Sequence, residues 1–84
     1  EDRIGEEGQG FRQILHGLNP ERVLIAAEAV GIGRAALRRA ADYARERVVF
    51  GRPIGQNQSV QHPLAQDWMA LEAAWLVCLN AAWR

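Results

Sequence analysis

One short break between two long helical stretches constrains this chain more than any other feature. The break is the segment Phe-Gly-Arg-Pro-Ile-Gly at 50–55, and the stretches 20–48 and 59–84 on either side both repeat apolar residues at helical spacing. Glycine and proline oppose the continuation of a helix, and the residue before a proline is pushed out of the helical region. The sequence therefore predicts an all-α chain folded as a long antiparallel helical hairpin.

The start of the first long helix is predicted at Pro20. Asn19 can cap a helix, proline is tolerated in the first turn, and Glu21 favours the positive end of the helix dipole. The preceding residues hold three glycines among the first ten and then a short apolar repeat from Phe11 to Leu18. We therefore divide the chain into a lead-in turn with a short helix, 1–19, and the helical hairpin, 20–84.

The two helices carry more apolar surface than a hairpin can bury. An apolar stripe and a stripe of small residues follow the first helix (Val23, Ala27, Val30, Leu37, Ala41, Ala44 and Val48; Ala26, Ala29, Gly33, Ala36 and Ala40), and beyond Pro63 the second helix is apolar nearly all round. Each helix of a hairpin covers only one side of the other. We expect half of a four-helix bundle, completed by further chain or by self-association, and a piece of a longer polypeptide.

Charge, hydropathy and cysteine content exclude several classes of function. Ten basic and ten acidic residues give a formal charge of zero, so no electrostatic field favours nucleic acid or an anionic membrane. The longest apolar run, 68–83, is interrupted by Glu72 and Asn80 and is too short for a membrane span. Cys78 is alone in an apolar context, which favours a buried thiol. His16 and His62 have no partners at metal-ligand spacing, so no metal site is predicted.

Three segments together resemble one known family. They are GEEGQGF at 5–11, LNPERVLIAAEAVGIGRAAL at 18–37 and YARERVVFGRPIGQNQSVQHPLA at 43–65. They are similar to the first part of the C-terminal helical domain of the acyl-CoA dehydrogenase family, and the resemblance covers practically the whole chain. Its most specific part is Arg47-x-x-Phe50-Gly-x-Pro-Ile followed by Gln58. The expected fold is thus half of that family's four-helix bundle.

The resemblance implies a flavoenzyme. Members use FAD to oxidise the α,β bond of an acyl-CoA thioester to a trans-2-enoyl-CoA: a base removes the α-proton and the flavin accepts a hydride from the β-carbon. A helical N-terminal domain and a middle β domain precede the C-terminal one, which forms dimers or tetramers. The expected partners are an acyl-CoA, further copies of the chain and electron-transfer flavoprotein or a similar acceptor. The expected location is the bacterial cytoplasm or the mitochondrial matrix.

The resemblance also implies cofactor contacts at the break. Arg47 matches an arginine that reaches the FAD pyrophosphate of a neighbouring subunit. Phe50 and Gln58 match residues that hold the adenosine diphosphate part, and Val49 and Asn57 flank them. The residue types suit this task, because a guanidinium pairs with phosphate, an aromatic face stacks beside adenine, and a carboxamide donates and accepts. In an arbitrary protein these residues would be a surface arginine, a core aromatic and a solvated amide.

Three residues near the predicted start of the first helix match positions that lie at or near the substrate in members of the family. Arg22 matches an arginine near the substrate, and Asn19 occupies a position where many members have an aspartate that contacts the CoA moiety. Glu21 occupies the position at which the isovaleryl and long-chain dehydrogenases carry the catalytic base, whereas most members carry it later in the domain. A first-turn glutamate that favours the helix dipole is the structural alternative for Glu21.

Two further functions stay open at this point. The chain can be a helical module that self-associates and performs no chemistry, as the apolar second helix suggests. It can also belong to a flavin oxidase of the same superfamily, such as an acyl-CoA oxidase or nitroalkane oxidase, in which oxygen meets the reduced flavin.

Overall fold

Two antiparallel helices joined by a small β-hairpin make up the described part of the chain. A computed structural model describes residues 2–84. Along the chain the elements are α1 (Gly10–Glu46), β1 (Val48–Val49), β2 (Arg52–Pro53), a 3₁₀ turn (Ile54–Gln56) and α2 (Gln58–Trp83). The predicted all-α helical hairpin is confirmed, and the break that was expected at 50–55 spans residues 47–57.

The predicted helix boundary at Asn19 and Pro20 is wrong. The first helix begins at Gly10 and passes through Pro20 without interruption, so residues 10–19 belong to α1 and not to a separate short helix. Pro20 has no N–H for the carbonyl of His16, four residues earlier, but both residues are exposed and water can replace the missing bond.

The core between the helices is small. Val30, Ala44 and Cys78 are the buried apolar residues among those described. The predicted apolar stripe of α1 faces α2, except that Val48 lies in β1 and is exposed. The helices approach closely at Gly33, where an added Cβ would lie 2.5 Å from a methyl carbon of Leu71. The small-residue stripe therefore reaches α2 at Gly33.

A polar clamp fixes the register of the two helices. The Arg34 guanidinium donates to Oε1 of Glu72 through Nη2 at 2.6 Å and through Nε at 3.2 Å. The same guanidinium carbon lies 5.2 Å from the ring centroid of Trp75, within cation–π range. The pair is partly buried and joins the middle of α1 to the middle of α2. Any shift of one helix turn would separate these charges.

The hairpin leaves much of its apolar surface uncovered, as predicted. Its radius of gyration is 20.9 Å, whereas a compact chain of this length has about 12 Å. Its accessible surface is 7375 Å², against about 5,000 Å² for a compact protein of this mass. The exposed large apolar residues of α2 include Trp68, Met69, Leu76, Val77 and Trp83. This surface is available to further helices or to other copies.

Two smaller expectations concern the membrane and the cysteine. Within residues 2–84 the structure has no helix that is both long and apolar enough to cross a membrane. Cys78 is a free thiol and is buried between the helices, as predicted.

Replacing Pro20 by alanine tests the continuity of α1. We expect Pro20→Ala to slow amide hydrogen exchange at residues 14–19, because alanine restores a hydrogen bond and removes a ring clash in a helix interior, where proline costs about 3 kcal/mol. Glu28→Ala, at an exposed position of the same helix, serves as control and should leave these amides unchanged. Unchanged exchange in Pro20→Ala would show that the helix ends before this residue.

Candidate functional site

The joint between the helices is a tight β-hairpin. Val48 pairs with Pro53 and Val49 pairs with Arg52, which leaves a loop of two residues. Phe50 has φ 51° and Gly51 has φ 78°, so both loop residues are in the left-handed region. This pattern is typical of a type I′ turn, whose backbone twist matches that of the two strands.

Phe50 is an unusual residue for its position. Asparagine, aspartate or glycine normally occupies the first left-handed position of such a turn, and other residues there cost about 1–2 kcal/mol. The Phe50 side chain is fully exposed, at 101% of its reference surface, so burial in this chain does not offset the cost. It is therefore not a core aromatic. A strained and exposed aromatic is available for contact with another molecule.

The hairpin is held against the end of α1. The Ile54 N–H donates to the Arg47 carbonyl at 2.8 Å, and the Arg47 N–H donates to the Tyr43 carbonyl at the same distance. Gly55 lies so close to the Ala44 carbonyl that an added Cβ would be 2.9 Å from its oxygen. The chain therefore reverses directly on the last turn of α1, and the hairpin tip has a defined position.

The start of α2 is held by a different set of bonds. Asn57 precedes the helix, and its carbonyl accepts the N–H groups of Val60 and Gln61. Its side chain does not cap the helix but accepts a hydrogen bond from Nη2 of Arg52 at 2.6 Å. The side-chain Nε2 of Gln61 donates a hydrogen bond to the Gly55 carbonyl at 2.7 Å. The sequence did not predict a role for Arg52 or Gln61, because residue spacing alone does not indicate these two side-chain hydrogen bonds.

One group of predicted site residues is brought together at this end of the molecule. Arg47 follows α1, Val49 and Phe50 belong to the hairpin, and Asn57 and Gln58 begin α2. All of them except Asn57 are exposed. A cation, an aromatic ring and a carboxamide on adjoining segments can contact a phosphate and a stacked heterocycle.

The second group lies near the other end of α1. Asn19, Glu21 and Arg22 are exposed, and Arg22 Nη1 donates to Oδ1 of Asn19 at 3.1 Å. Arg22 and Arg47 are twenty-five residues apart, which corresponds to about 38 Å along a helix that rises 1.5 Å per residue. The structure does not bring the two groups together.

A groove beside the second group is lined, apart from Asn19, by residues for which the sequence predicted no role in a site. It has a volume of about 670 Å³ and is lined by His16, Asn19, Val23, Ala81 and Arg84, among others. Glu21 and Arg22 are not part of its lining. Neither histidine belongs to a metal cluster, because residues 2–84 contain no group of three or more histidine, cysteine or acidic side chains placed to hold an ion.

The helix pairing and the joint agree with one protein family. Residues 8–84 match the family model described as the C-terminal domain of acyl-CoA dehydrogenase. The chain therefore belongs to the acyl-CoA dehydrogenase family.

Curated bacterial relatives support the same assignment. The chain is 48% identical over 79 residues to acyl-CoA dehydrogenase FadE12 of Mycobacterium tuberculosis, covering 94% of this chain and 20% of that protein. It is 47% identical over 79 residues to an acyl-CoA dehydrogenase of Bacillus subtilis, covering 94% and 21%. Against the probable acyl-CoA dehydrogenase YdiO of Escherichia coli it is 37% identical over 83 residues, covering 99% and 22%. The chain thus spans about a fifth of the length of these relatives.

Replacing Phe50 by asparagine tests the strain at the hairpin. We expect Phe50→Asn to stabilise the protein by up to about 1 kcal/mol, because asparagine tolerates the left-handed region and Asn-Gly is a favoured type I′ pair. Denaturant unfolding measures the change, and Tyr43→Asn, on the exposed side of α1, is the control. A loss of stability in Phe50→Asn would mean that the ring packs against its own chain.

Proposed function

We propose that this chain is part of an FAD-dependent acyl-CoA dehydrogenase that oxidises the α,β bond of an acyl-CoA to a trans-2-enoyl-CoA. In that enzyme the hairpin end of the chain contacts the FAD bound by a neighbouring subunit, and its uncovered apolar surface forms part of the bundle and the oligomer interface. The observation that carries the proposal is the exposed, strained Phe50, three residues after the exposed Arg47. This arrangement does not stabilise the isolated chain and suits an intermolecular contact.

The residues of the hairpin end suit the adenosine diphosphate part of FAD. Arg47 offers paired donors to the pyrophosphate, Phe50 offers an aromatic face to the adenine, and Gln58 offers a carboxamide at the exposed start of α2. Val49 presents an apolar side chain next to Phe50. Bound FAD supplies the hydride acceptor for the β-carbon of the substrate, and the chain's own residues bind and orient the nucleotide.

The separation of the two groups supports a contact between subunits. About 38 Å lies between Arg22 and Arg47 along the helix, and a dinucleotide is shorter than that even when fully extended. One flavin therefore cannot reach both ends of the same chain. If both groups serve flavin sites, they serve two different ones, which requires a homo-oligomer such as a dimer or a tetramer.

The substrate end supplies the proposed acid–base chemistry. Glu21 is the proposed base for the α-proton, and Arg22 and Asn19 lie on the same turn of α1 as contacts for the acyl-CoA. Glu21 is exposed in this chain, so the rest of the site has to exclude water around the carboxylate when the substrate binds. Electrons then pass to electron-transfer flavoprotein or a similar acceptor.

One alternative has an observation in its favour. The uncovered apolar surface of α2 also fits a helical module that self-associates without chemistry. The strained Phe50 favours the enzyme instead, because self-association through α2 does not need it. The relatives are named dehydrogenases, which favours a dehydrogenase over an oxidase, and they are bacterial, which favours the cytoplasm over the mitochondrial matrix.

The proposed reaction is tested by anaerobic titration. A full-length protein that carries this segment is titrated with acyl-CoAs of different chain length while the visible flavin band is recorded. Bleaching of the band is the expected result, because the substrate reduces the flavin. A colourless protein, or a flavin band indifferent to every thioester, would contradict the proposal, and oxygen consumption during turnover would identify an oxidase.

Replacing Arg47 by methionine tests the flavin contact. We expect Arg47→Met to weaken FAD binding about ten- to hundredfold, because a hydrogen bond to a charged group contributes about 1.5–3 kcal/mol. Fluorescence titration of the apoprotein with FAD gives the dissociation constant. Arg39→Met, at an exposed position on α1, is the matched control and should bind FAD normally. Equal affinities of the two variants would remove Arg47 from the site.

Replacing Glu21 by glutamine tests the assignment of the base. We expect Glu21→Gln to lower turnover at least about 100-fold while acyl-CoA still binds, because the amide keeps the shape but cannot take the proton. Single-turnover flavin reduction and acyl-CoA titration separate the two effects. The control is Glu28→Gln, two helical turns further along α1. Normal flavin reduction in Glu21→Gln would place the base elsewhere in the protein.

A further inference from the structure

Asn57 precedes α2 but does not cap it with its side chain. Asparagine is among the preferred N-cap residues because its side-chain oxygen can accept a free N–H of the first helical turn. Here Oδ1 of Asn57 instead accepts a hydrogen bond from Nη2 of Arg52 at 2.6 Å, and α2 has no side-chain cap. The local preference for capping is therefore overridden by a bond to the hairpin.

That bond connects the two segments that carry the cofactor contacts. Arg52 lies in β2, directly after the two-residue loop, and it pairs with Val49 across the hairpin. Asn57 is the residue immediately before Gln58, at the start of α2. The ladder between the strands has only two residue pairs, and a hairpin this short is not stable by itself. The bond from Arg52 to Asn57 is thus a direct side-chain link from the strand beside Phe50 to the start of α2.

We propose that Arg52 is a positioning residue for the cofactor contact. By holding the Asn57 side chain, it fixes the hairpin tip with Phe50 relative to Gln58, so that both meet the same nucleotide. The inference rests on the proposed function of this end of the chain. It also changes the role of Asn57, which orients its neighbours through Arg52 and does not contact the cofactor through its own Oδ1.

A double-mutant cycle in a full-length protein carrying this segment tests the link. The variants are Arg52→Met, which keeps the aliphatic stem and removes the donors, Asn57→Ser, and the double variant. Serine is a good N-cap but is too short to reach Arg52, so it should leave the thermal midpoint unchanged or raise it. The measured quantity is the FAD dissociation constant of the apoprotein, with Arg39→Met as the control.

The expected result is coupling between the two positions. Each single substitution should weaken FAD binding about tenfold, and the double variant should be no weaker than either one, since both remove the same bond. Arg52→Lys, which keeps a charged donor, should recover most of the affinity. Weaker FAD binding in Asn57→Ser together with an unchanged or higher thermal midpoint separates positioning from a merely structural role.

Several outcomes would overturn the inference. If Arg52→Met weakens FAD binding and Asn57→Ser does not, Arg52 acts on the cofactor directly. If the two effects add in the double variant, the residues act independently. If neither variant changes the affinity while Arg47→Met does, the positioning role fails and the proposed function stands. If Arg47→Met and Phe50→Gly are also without effect, the proposed flavin contact at this end of the chain fails as well, whereas the proposed reaction is tested by the titration with acyl-CoAs.

Discussion

The close reversal of the chain on the last turn of α1 is the constraint on which the rest of the structure depends. The hydrogen bond from Ile54 to the Arg47 carbonyl and the contact of Gly55 with the Ala44 carbonyl fix where α2 begins. A side chain at position 55 would meet backbone and not a movable group, so the reversal requires a residue without a Cβ. Once the reversal is set, the direction and register of α2 follow.

The clamp between Arg34 and Glu72 fixes the same register of the two helices at a second place, in the middle of the helical hairpin. Its energetic contribution is modest because both side chains are about a third or more exposed. Its geometric contribution is larger, since two hydrogen bonds and the nearby Trp75 ring fit one alignment of the helices. Polar contacts therefore help to fix the alignment of the helices around the small core, while most of the apolar surface stays free for assembly.

The sequence predicted the parts of the fold that depend on periodicity and on strong breakers. The glycines and the proline at 51–55 located the joint, and the apolar stripe of α1 identified the face toward α2. Pro20 was misassigned because a proline signals a helix start by local rules, whereas the exposed carbonyl of His16 can bond to water and so allows the helix to pass through the proline.

The site was only partly accessible from the sequence. The resemblance predicts cofactor contacts at Arg47, Phe50 and Gln58, and the structure places these three residues at one end of the helical hairpin. The backbone strain at Phe50 and the bond between Arg52 and Asn57 depend on φ values and side-chain positions that no spacing encodes. Asn57 in particular would be assigned to helix capping from its residue type alone.

The distance between the two ends of α1 has a consequence in genetic terms. If each subunit lends its hairpin end to the flavin of its neighbour, a copy defective at Glu21 and a copy defective at Arg47 can assemble into one mixed dimer. One active site of that dimer then carries both defects and the other carries none. In such a dimer two inactive alleles would complement each other, because the two ends of the long helix of one subunit contribute residues to two different active sites.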